Sequence, residues 1–175
     1  RFARRFNTIY QTEYFTEPAS WHFGDKAIKI PGLDGSGKMG KSEGNAIYLI
    51  DDEKTLTKKV KRAVTDGGPT EPNSTMPEPI ANLFTLLKIA SSEETYQHYL
   101  TAYNDCSIRY GDLKAQLAAD LVALTTPIHE RILELSSDQE FLNKVAREGA
   151  ERARESARKT LEEVRHIIGF MPTIR

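Results

Sequence analysis

A chain of 175 residues is long enough for one sizeable domain or for a small domain with an appendage. Apolar residues make up 39% of it and charged residues 28%, and no apolar run approaches the roughly 20 residues that cross a bilayer, so the composition argues against a membrane span. The net charge of -1 is too small to indicate nucleic-acid binding by itself, and the single Cys106 excludes an internal disulfide and favours a reducing cytoplasm.

The first segment in chain order carries a helical pattern. Phe2, Phe6, Ile9 and Tyr10 recur at spacings that predict the end of a helix. The sequence begins with Arg1 rather than Met and has no apolar stretch behind it. We therefore expect a piece of a longer protein, without a signal peptide.

Two short apolar runs flank a glycine-rich loop. The run at 27–30 predicts a short strand, and the partly β-branched run at 46–50 predicts a strand or a buried segment. Residues 1–66 hold 12 Lys and Arg against nine Asp and Glu, and the basic excess gathers around the loop and residues 54–62. This placement favours an anionic ligand near the loop.

The loop itself, Gly35-Ser36-Gly37-Lys38-Met39-Gly40-Lys41-Ser42, is the most informative segment. As G-x-x-x-x-G-K-S it matches the phosphate-binding P-loop, which needs a strand before it and a helix directly after the Lys-Ser pair. The turn signal Glu43-Gly44-Asn45 stands where that helix should begin. As K-M-G-K-S it resembles the mobile K-M-S-K-S loop of class I aminoacyl-tRNA synthetases, whose two lysines neutralise charge on the leaving pyrophosphate. The third interpretation is a solvated surface turn that binds nothing.

The rest of the chain is predicted to be helical. A helix over 53–65 begins after Asp51 or Asp52 as its N-cap. Its apolar stripe comprises Leu56, Val60 and Val64. Residues 67–79, rich in glycine and proline, form a linker, and we place a domain boundary there.

Four helices are predicted after this linker. They cover 80–87, a segment capped by Ser91 or Ser92, 112–135 with a kink at Pro127, and 138–168 up to Gly169. The last helix has an apolar stripe made of Leu142, Ala146, Gly149, Ala153, Ala157, Leu161, Val164 and Ile168. Its basic face comprises Arg147, Arg154, Arg158 and Arg165. Charge pattern favours a solvent face with ion pairs Glu148/Arg152 and Glu155/Lys159 over a nucleic-acid contact.

Several stretches in this order resemble the C-terminal half of tryptophanyl-tRNA synthetases and cover nearly the whole chain. They are the K-M-G-K-S loop with 43–45 behind it, KVKRAVTD at 59–66, RYGDLK at 109–114, and the terminal stretch 161–170. Together they are much more specific than the loop alone. Tyrosyl-tRNA synthetases share the loop but match the later stretches less well.

The resemblance implies a mainly α chain. The tail of a Rossmann-type α/β catalytic domain would span residues 1–66, the linker 67–79, and a helical anticodon-binding domain 80–175. It further implies a cytoplasmic homodimer, joined through the catalytic domain, that activates tryptophan with ATP and Mg²⁺ and transfers it to tRNA(Trp). We expect no protein ligands for the metal in this chain.

The resemblance also assigns site residues. Lys38 and Lys41 would be catalytic, and the ATP-binding set would comprise Ile28, Lys38, Met39, Gly40, Lys41 and Ser42. Gly40 stands where the family usually has serine, so the loop loses a hydroxyl and gains freedom. The family's H-x-G-H-type motif and its amino-acid pocket are not in these residues, so we expect the chain alone to be inactive.

Three alternatives stay open: a tyrosyl-tRNA synthetase-like ligase, a P-loop NTPase fragment, and a non-enzymatic helical RNA-binding or interaction module. A helix starting at Lys41 would support the NTPase. A turn at Gly44 followed by an extended segment would exclude it.

Overall fold

The computed structural model describes residues 1–21 and 29–170 and contains six α-helices and no strand in those ranges. The helices are α1 (Phe2–Tyr10), α2 (Glu53–Lys61), α3 (Glu78–Ala90), α4 (Glu93–Asn104), α5 (Tyr110–Ser137) and α6 (Gln139–Ile167). The prediction of a mainly α chain is confirmed. The Rossmann-type tail stays a prediction.

The described residues form two compact units. One unit contains the residues from 29 to 137, and the other contains those before residue 22 together with those after residue 137. This division by contacts does not fall within 67–79. The domain boundary expected at 67–79 therefore stays a prediction.

The core of the first unit lies between α2, α3, α4 and α5. Leu56 and Val60, one turn apart on α2, are fully buried, as the helical spacing predicts. They join Leu87 of α3 and Leu113 of α5 in one apolar cluster, beside which Tyr103 of α4 is buried. This cluster fixes α2, and with it the end of the preceding loop, against the rest of the unit.

Helix α2 ends earlier than predicted, at Lys61 rather than residue 65. Beyond it the Val64 amide donates to the Leu33 carbonyl at 3.0 Å instead of continuing the helix. Val64, predicted to extend the apolar stripe, is 46% exposed for this reason. The predicted start is confirmed, because the Asp52 carboxylate accepts from the Thr55 amide at 2.7 Å.

The predicted helices after residue 79 are all present. Ser92 caps α4 by accepting from the Thr95 amide at 3.1 Å. Helix α5 continues through Pro127. Two threonine hydroxyls in the preceding turn, those of Thr125 and Thr126, donate to carbonyls of α5 four residues earlier.

The second unit contains α1, α6 and an aromatic cluster. Phe6 packs against Phe15 with ring centroids 4.9 Å apart, and the Asn7 carboxamide brackets the Phe15 backbone with two hydrogen bonds. The Tyr14 hydroxyl donates to a Glu163 oxygen of α6 at 2.7 Å, which raises the pKa of Tyr14. Helix α6 ends at Ile167, one residue earlier than predicted, and Gly169 just beyond it adopts φ +79°.

The predicted apolar stripe of α6 is not buried. No residue of α6 is buried, and Leu161 is 52% exposed. Val164 and Ile168 at the end of the stripe are half-buried, whereas its residues from Leu142 to Leu161 are exposed.

The predicted strands are wrong where they can be judged. Within 46–50, Ala46 is buried, but Leu49 and Ile50 are 50% and 65% exposed and lie in a turn. The Tyr48 amide donates to the Asp51 carboxylate, and the Asp51 amide donates to the Tyr48 carbonyl. These local bonds replace the strand pairing. Of 27–30, only the last two residues are described, and neither is in a strand.

Candidate active-site loop

The loop predicted to bind phosphate ends in a turn. The Glu43 amide donates to the Gly40 carbonyl at 3.3 Å, and Gly44 closes the turn with φ +69°. Residues 45–48 carry no regular secondary structure, and the next helix begins only at Glu53. A P-loop requires a helix directly after Ser42, so this geometry does not favour the NTPase interpretation.

A single buried carboxamide, that of Asn45, holds the loop together. Asn45 is 4% exposed. Its Nδ2 lies 3.0 Å from each of three acceptors: Asp34 Oδ1, Ser36 Oγ and the Lys38 carbonyl. Its Oδ1 accepts from the Gly40 amide at 3.0 Å. A side chain distant from the loop start thereby fixes both the entry to the loop and its centre.

The entry to the loop is a compact turn. Asp34 Oδ1 accepts from the Ser36 amide at 3.0 Å, and the Ser36 hydroxyl donates to the Lys38 carbonyl at 3.2 Å. Hydrogen bonds from Ser36 and Asn45 hold the pKa of the Asp34 carboxyl below its ordinary value. Asp34 is therefore ionised at neutral pH and serves as an acceptor within the loop.

Helix α3 supports the loop from outside. The Asn82 carboxamide donates to the carbonyls of Gly35 and Ser36, each at 3.1 Å. Gly35 adopts φ +84°, and a Cβ there would lie 3.0 Å from the Pro79 ring. Conformation and space therefore both favour glycine at this position.

The end of the loop is tied to α2. The Tyr48 hydroxyl donates to the Lys41 carbonyl at 3.2 Å. Lys59 Nζ of α2 lies 4.4 Å from the centre of the Tyr48 ring and 2.6 Å from Asp51 Oδ2. Lys59 of α2 thus helps to hold Tyr48, whose hydroxyl binds the backbone that carries Lys41.

These contacts leave an open cleft of about 600 Å³ along the loop. Its lining comprises Lys29, Asp34, Ser36, Gly37, Lys38, Met39, Gly40, Lys41, Ser42 and Glu43. Lys38, Lys41 and Ser42 are exposed. Three ammonium groups therefore border the cleft against two carboxylates, which favours an anionic ligand.

The structure brings together five of the six predicted site residues, Lys38 to Ser42, in this cleft. Ile28 lies outside the described residues, and the assignment of all six to ATP stays a prediction. A Cβ on Gly40 would lie 2.8 Å from Glu43 Cγ, so a serine here requires the Glu43 side chain to move.

Sequence reasoning missed the residues that shape the loop. Asp34 and Ser36 form a recognisable Asp-x-Ser turn signal, and Asn45 follows a glycine in a turn. Asn82 gave no signal, because it lies 47 residues from Gly35 in sequence. Hydrogen bonds over such separations depend on tertiary packing.

The basic face predicted on α6 is exposed. The two ion pairs predicted there, Glu148/Arg152 and Glu155/Lys159, are absent among the described residues. Long side chains on an exposed helix gain little by pairing, because water solvates both charges.

The described ranges contain neither a cluster of metal ligands nor a membrane span. No three His, Cys, Asp or Glu side chains lie together as a metal site requires. No helix there is long and apolar enough to cross a membrane.

Comparisons with known proteins agree with one another. A family model described as tRNA synthetases class I (W and Y) matches residues 1–126. Tryptophan–tRNA ligase of Porphyromonas gingivalis is 68% identical over 170 residues, covering 97% of this chain and 52% of that protein. The enzyme of the same name from Clostridium longisporum is 36% identical, covering 95% of this chain and 49% of that protein.

A solved structure is similar over the same extent. Tryptophanyl-tRNA synthetase from Campylobacter jejuni, described as complexed with ADP and tryptophan, superposes with a TM-score of 0.71 at 27% identity. The match covers 96% of this chain and 51% of that one. The chain spans about half the length of the relatives it matches.

Proposed function

The chain belongs to the class I tRNA synthetases of the tryptophan and tyrosine type, and from this membership we propose that it is the part of a tryptophan–tRNA ligase that carries the ATP loop and the helices after it. The observation that carries the proposal is its 68% identity over 97% of its length to a tryptophan–tRNA ligase. The lysine-lined cleft supports it with suitable chemistry. The parent enzyme would activate tryptophan with ATP and transfer it to tRNA(Trp).

The proposed chemistry assigns charge neutralisation to Lys38 and Lys41. Attack of the tryptophan carboxylate on the ATP α-phosphorus forms tryptophanyl-adenylate and releases pyrophosphate, on which negative charge grows. Two exposed ammonium groups in one cleft can approach that charge as it develops and lower the barrier. Met39, Gly40 and Ser42 would complete the ATP-binding loop, with Ser42 as a hydroxyl donor. We assign Ile28 to the same set.

We propose that Mg²⁺ enters with ATP. The Asp34 carboxylate already accepts hydrogen bonds from Ser36 and Asn45, and the described residues offer no cluster of metal ligands. These residues therefore do not fit a resident metal site, and we assign no step to the ion.

The remaining assignments concern the parent enzyme. We propose a cytoplasmic homodimer joined through the catalytic domain, whose helices from residue 80 onward contact the tRNA(Trp) anticodon. The exposed arginines of α6 are compatible with such a contact. We disfavour a tyrosine-specific ligase, because the relatives described above are tryptophan enzymes.

The test is ATP–pyrophosphate exchange by the full-length parent enzyme, with tryptophan and tyrosine compared. We expect exchange that depends on tryptophan alone. Tyrosine-dependent exchange would assign the protein to the sister enzymes. Absence of exchange with either amino acid would leave the binding-module interpretation, in which the loop has no catalytic role.

A further inference from the structure

We propose that Asn45 is a positioning residue that sets the location of Lys38 and Lys41 for adenylate formation. It lies outside the K-M-G-K-S motif, and its side chain points into the loop rather than into the cleft lining. The proposal rests on the proposed function, because it takes the two lysines to act on ATP phosphates.

The contacts of Asn45 bracket the two lysines along the backbone. Nδ2 lies 3.0 Å from the carbonyl of Lys38 itself, and Oδ1 accepts from the amide of Gly40, the residue directly before Lys41. Only Met39 separates the two bonded residues. One rigid carboxamide therefore fixes the peptide path from which both lysine side chains start.

The geometry requires a carboxamide of this length. The site needs donors towards Asp34 and Lys38 and an acceptor towards Gly40, and a carboxamide provides two N–H donors on one atom and an acceptor oxygen on another. Aspartate would place a second carboxylate beside Asp34. Glutamine is longer by one methylene, and Gly32 already packs so closely that a Cβ there would lie 2.2 Å from Asn45 Nδ2.

Restraint of the loop backbone by Asn45 should raise the reaction rate, because the loop is otherwise rich in glycine. Gly35, Gly37, Gly40 and Gly44 give the backbone many accessible conformations, most of which misplace the lysines. Displacing a catalytic group by about 1 Å can cost on the order of a hundredfold in rate. Both lysines stay exposed, so the anchor restrains the backbone while their side chains remain free to meet the ligand.

The main experiment measures tryptophan-dependent exchange by the full-length parent carrying Asn45→Ala. We expect kcat to fall by about ten- to a hundredfold, with a smaller change in KM for ATP, because the lost restraint acts on the transition state. Gln11→Ala, which removes an exposed carboxamide outside the cleft, is the matched control and should leave both constants unchanged. Kinetics are measured well below the melting temperature of each variant.

Two further variants separate positioning from folding. Asn45→Asp should be at least as slow as Asn45→Ala, and adding Asp34→Asn should recover part of kcat by restoring a donor and an acceptor between positions 34 and 45. In a Lys41→Ala background, Asn45→Ala should lower kcat by a smaller factor than it does in the wild type, because one of the two side chains that Asn45 positions is already gone.

Each result of these experiments either supports or overturns the role of Asn45. Unchanged kcat in folded Asn45→Ala, or an undiminished effect in the Lys41→Ala background, would overturn the proposal. If Asn45→Ala does not fold, Ser36→Ala, at an exposed position, provides the test. It removes the hydroxyl that links Asn45 to the Lys38 carbonyl and should lower kcat several-fold. Lack of exchange by the wild type would refute the proposed function instead.

Discussion

At the residue scale, the two lysines of the loop differ in how their backbone is held. The Lys38 carbonyl accepts from Asn45 and Ser36, whereas the Lys41 carbonyl accepts from the Tyr48 hydroxyl. Both side chains are exposed. Neither ammonium has an ion-pair partner among the described residues, so both are available to an incoming anion.

This availability leads to a prediction for Lys41→Ala in the full-length parent. We expect kcat for exchange to fall by about a hundred- to a thousandfold, with a smaller rise in KM for ATP, because the charge that we propose Lys41 neutralises develops only in the transition state. Lys144→Ala, an exposed lysine of α6, is the control and should match the wild type. A change confined to KM would instead assign Lys41 to ground-state binding.

The sequence was sufficient to locate the loop but not the network within it. Lys38 to Ser42 form a local motif, and its residues do line one cleft. The polar contacts of Asn45 and Asn82 depend on how the chain folds back, since Asn82 reaches the loop from α3. Motifs report side chains that are adjacent in sequence, whereas such anchors become visible only in three dimensions.

At the element scale, the helices were predictable because their signals are local. Asp52 and Ser92 cap α2 and α4 as expected, and Leu56 with Val60 forms a buried stripe. The prediction of a strand at 46–50 was wrong because an apolar run of five residues does not reveal which segment it would pair with. Local hydrogen bonds between Tyr48 and Asp51 turn the backbone instead.

One side chain joins two of these elements, and it can be tested. Lys114 of α5 donates to the Ala63 carbonyl at 2.7 Å and to Thr65 Oγ1 at 3.0 Å, just beyond the end of α2. Lys114→Met keeps the apolar stem and removes the ammonium. We expect a loss of about 1–2 kcal/mol in the free energy of unfolding, because two partly buried acceptors lose a charged donor.

The pH dependence of that variant provides a second check. Burial lowers the pKa of Lys114 from its ordinary 10.5, so the unfolded chain binds more protons than the folded one as the pH rises towards that value. The free energy of unfolding of the wild type, relative to that of Lys114→Met, should therefore increase as the pH rises towards 10.5. Lys54→Met, at an exposed position of α2, is the control in denaturant titrations and should change stability little. Equal stabilities of the two variants would contradict the role of Lys114.

At the scale of the whole molecule, the two units differ in how much they bury. Residues 29–137 enclose a continuous apolar core, whereas α6 buries no residue. The stripe on α6 was predicted from its period, but periodicity cannot identify what covers a face. The chain spans about half the length of its relatives, and in the proposed function the other half of the parent enzyme contributes to activity.

This division of the parent leads to the last prediction. The 175-residue chain carries the lysine cleft but no H-x-G-H-type motif, so the purified chain should show no tryptophan-dependent exchange under conditions in which the full-length parent turns over. Circular dichroism supplies the folding control, since the six helices should be present and melt on heating. In the proposed function Lys38 and Lys41 act only on phosphate charge that the rest of the site must position, so an intact loop alone should give no catalysis. Measurable exchange by the isolated chain would mean that these residues hold both substrates.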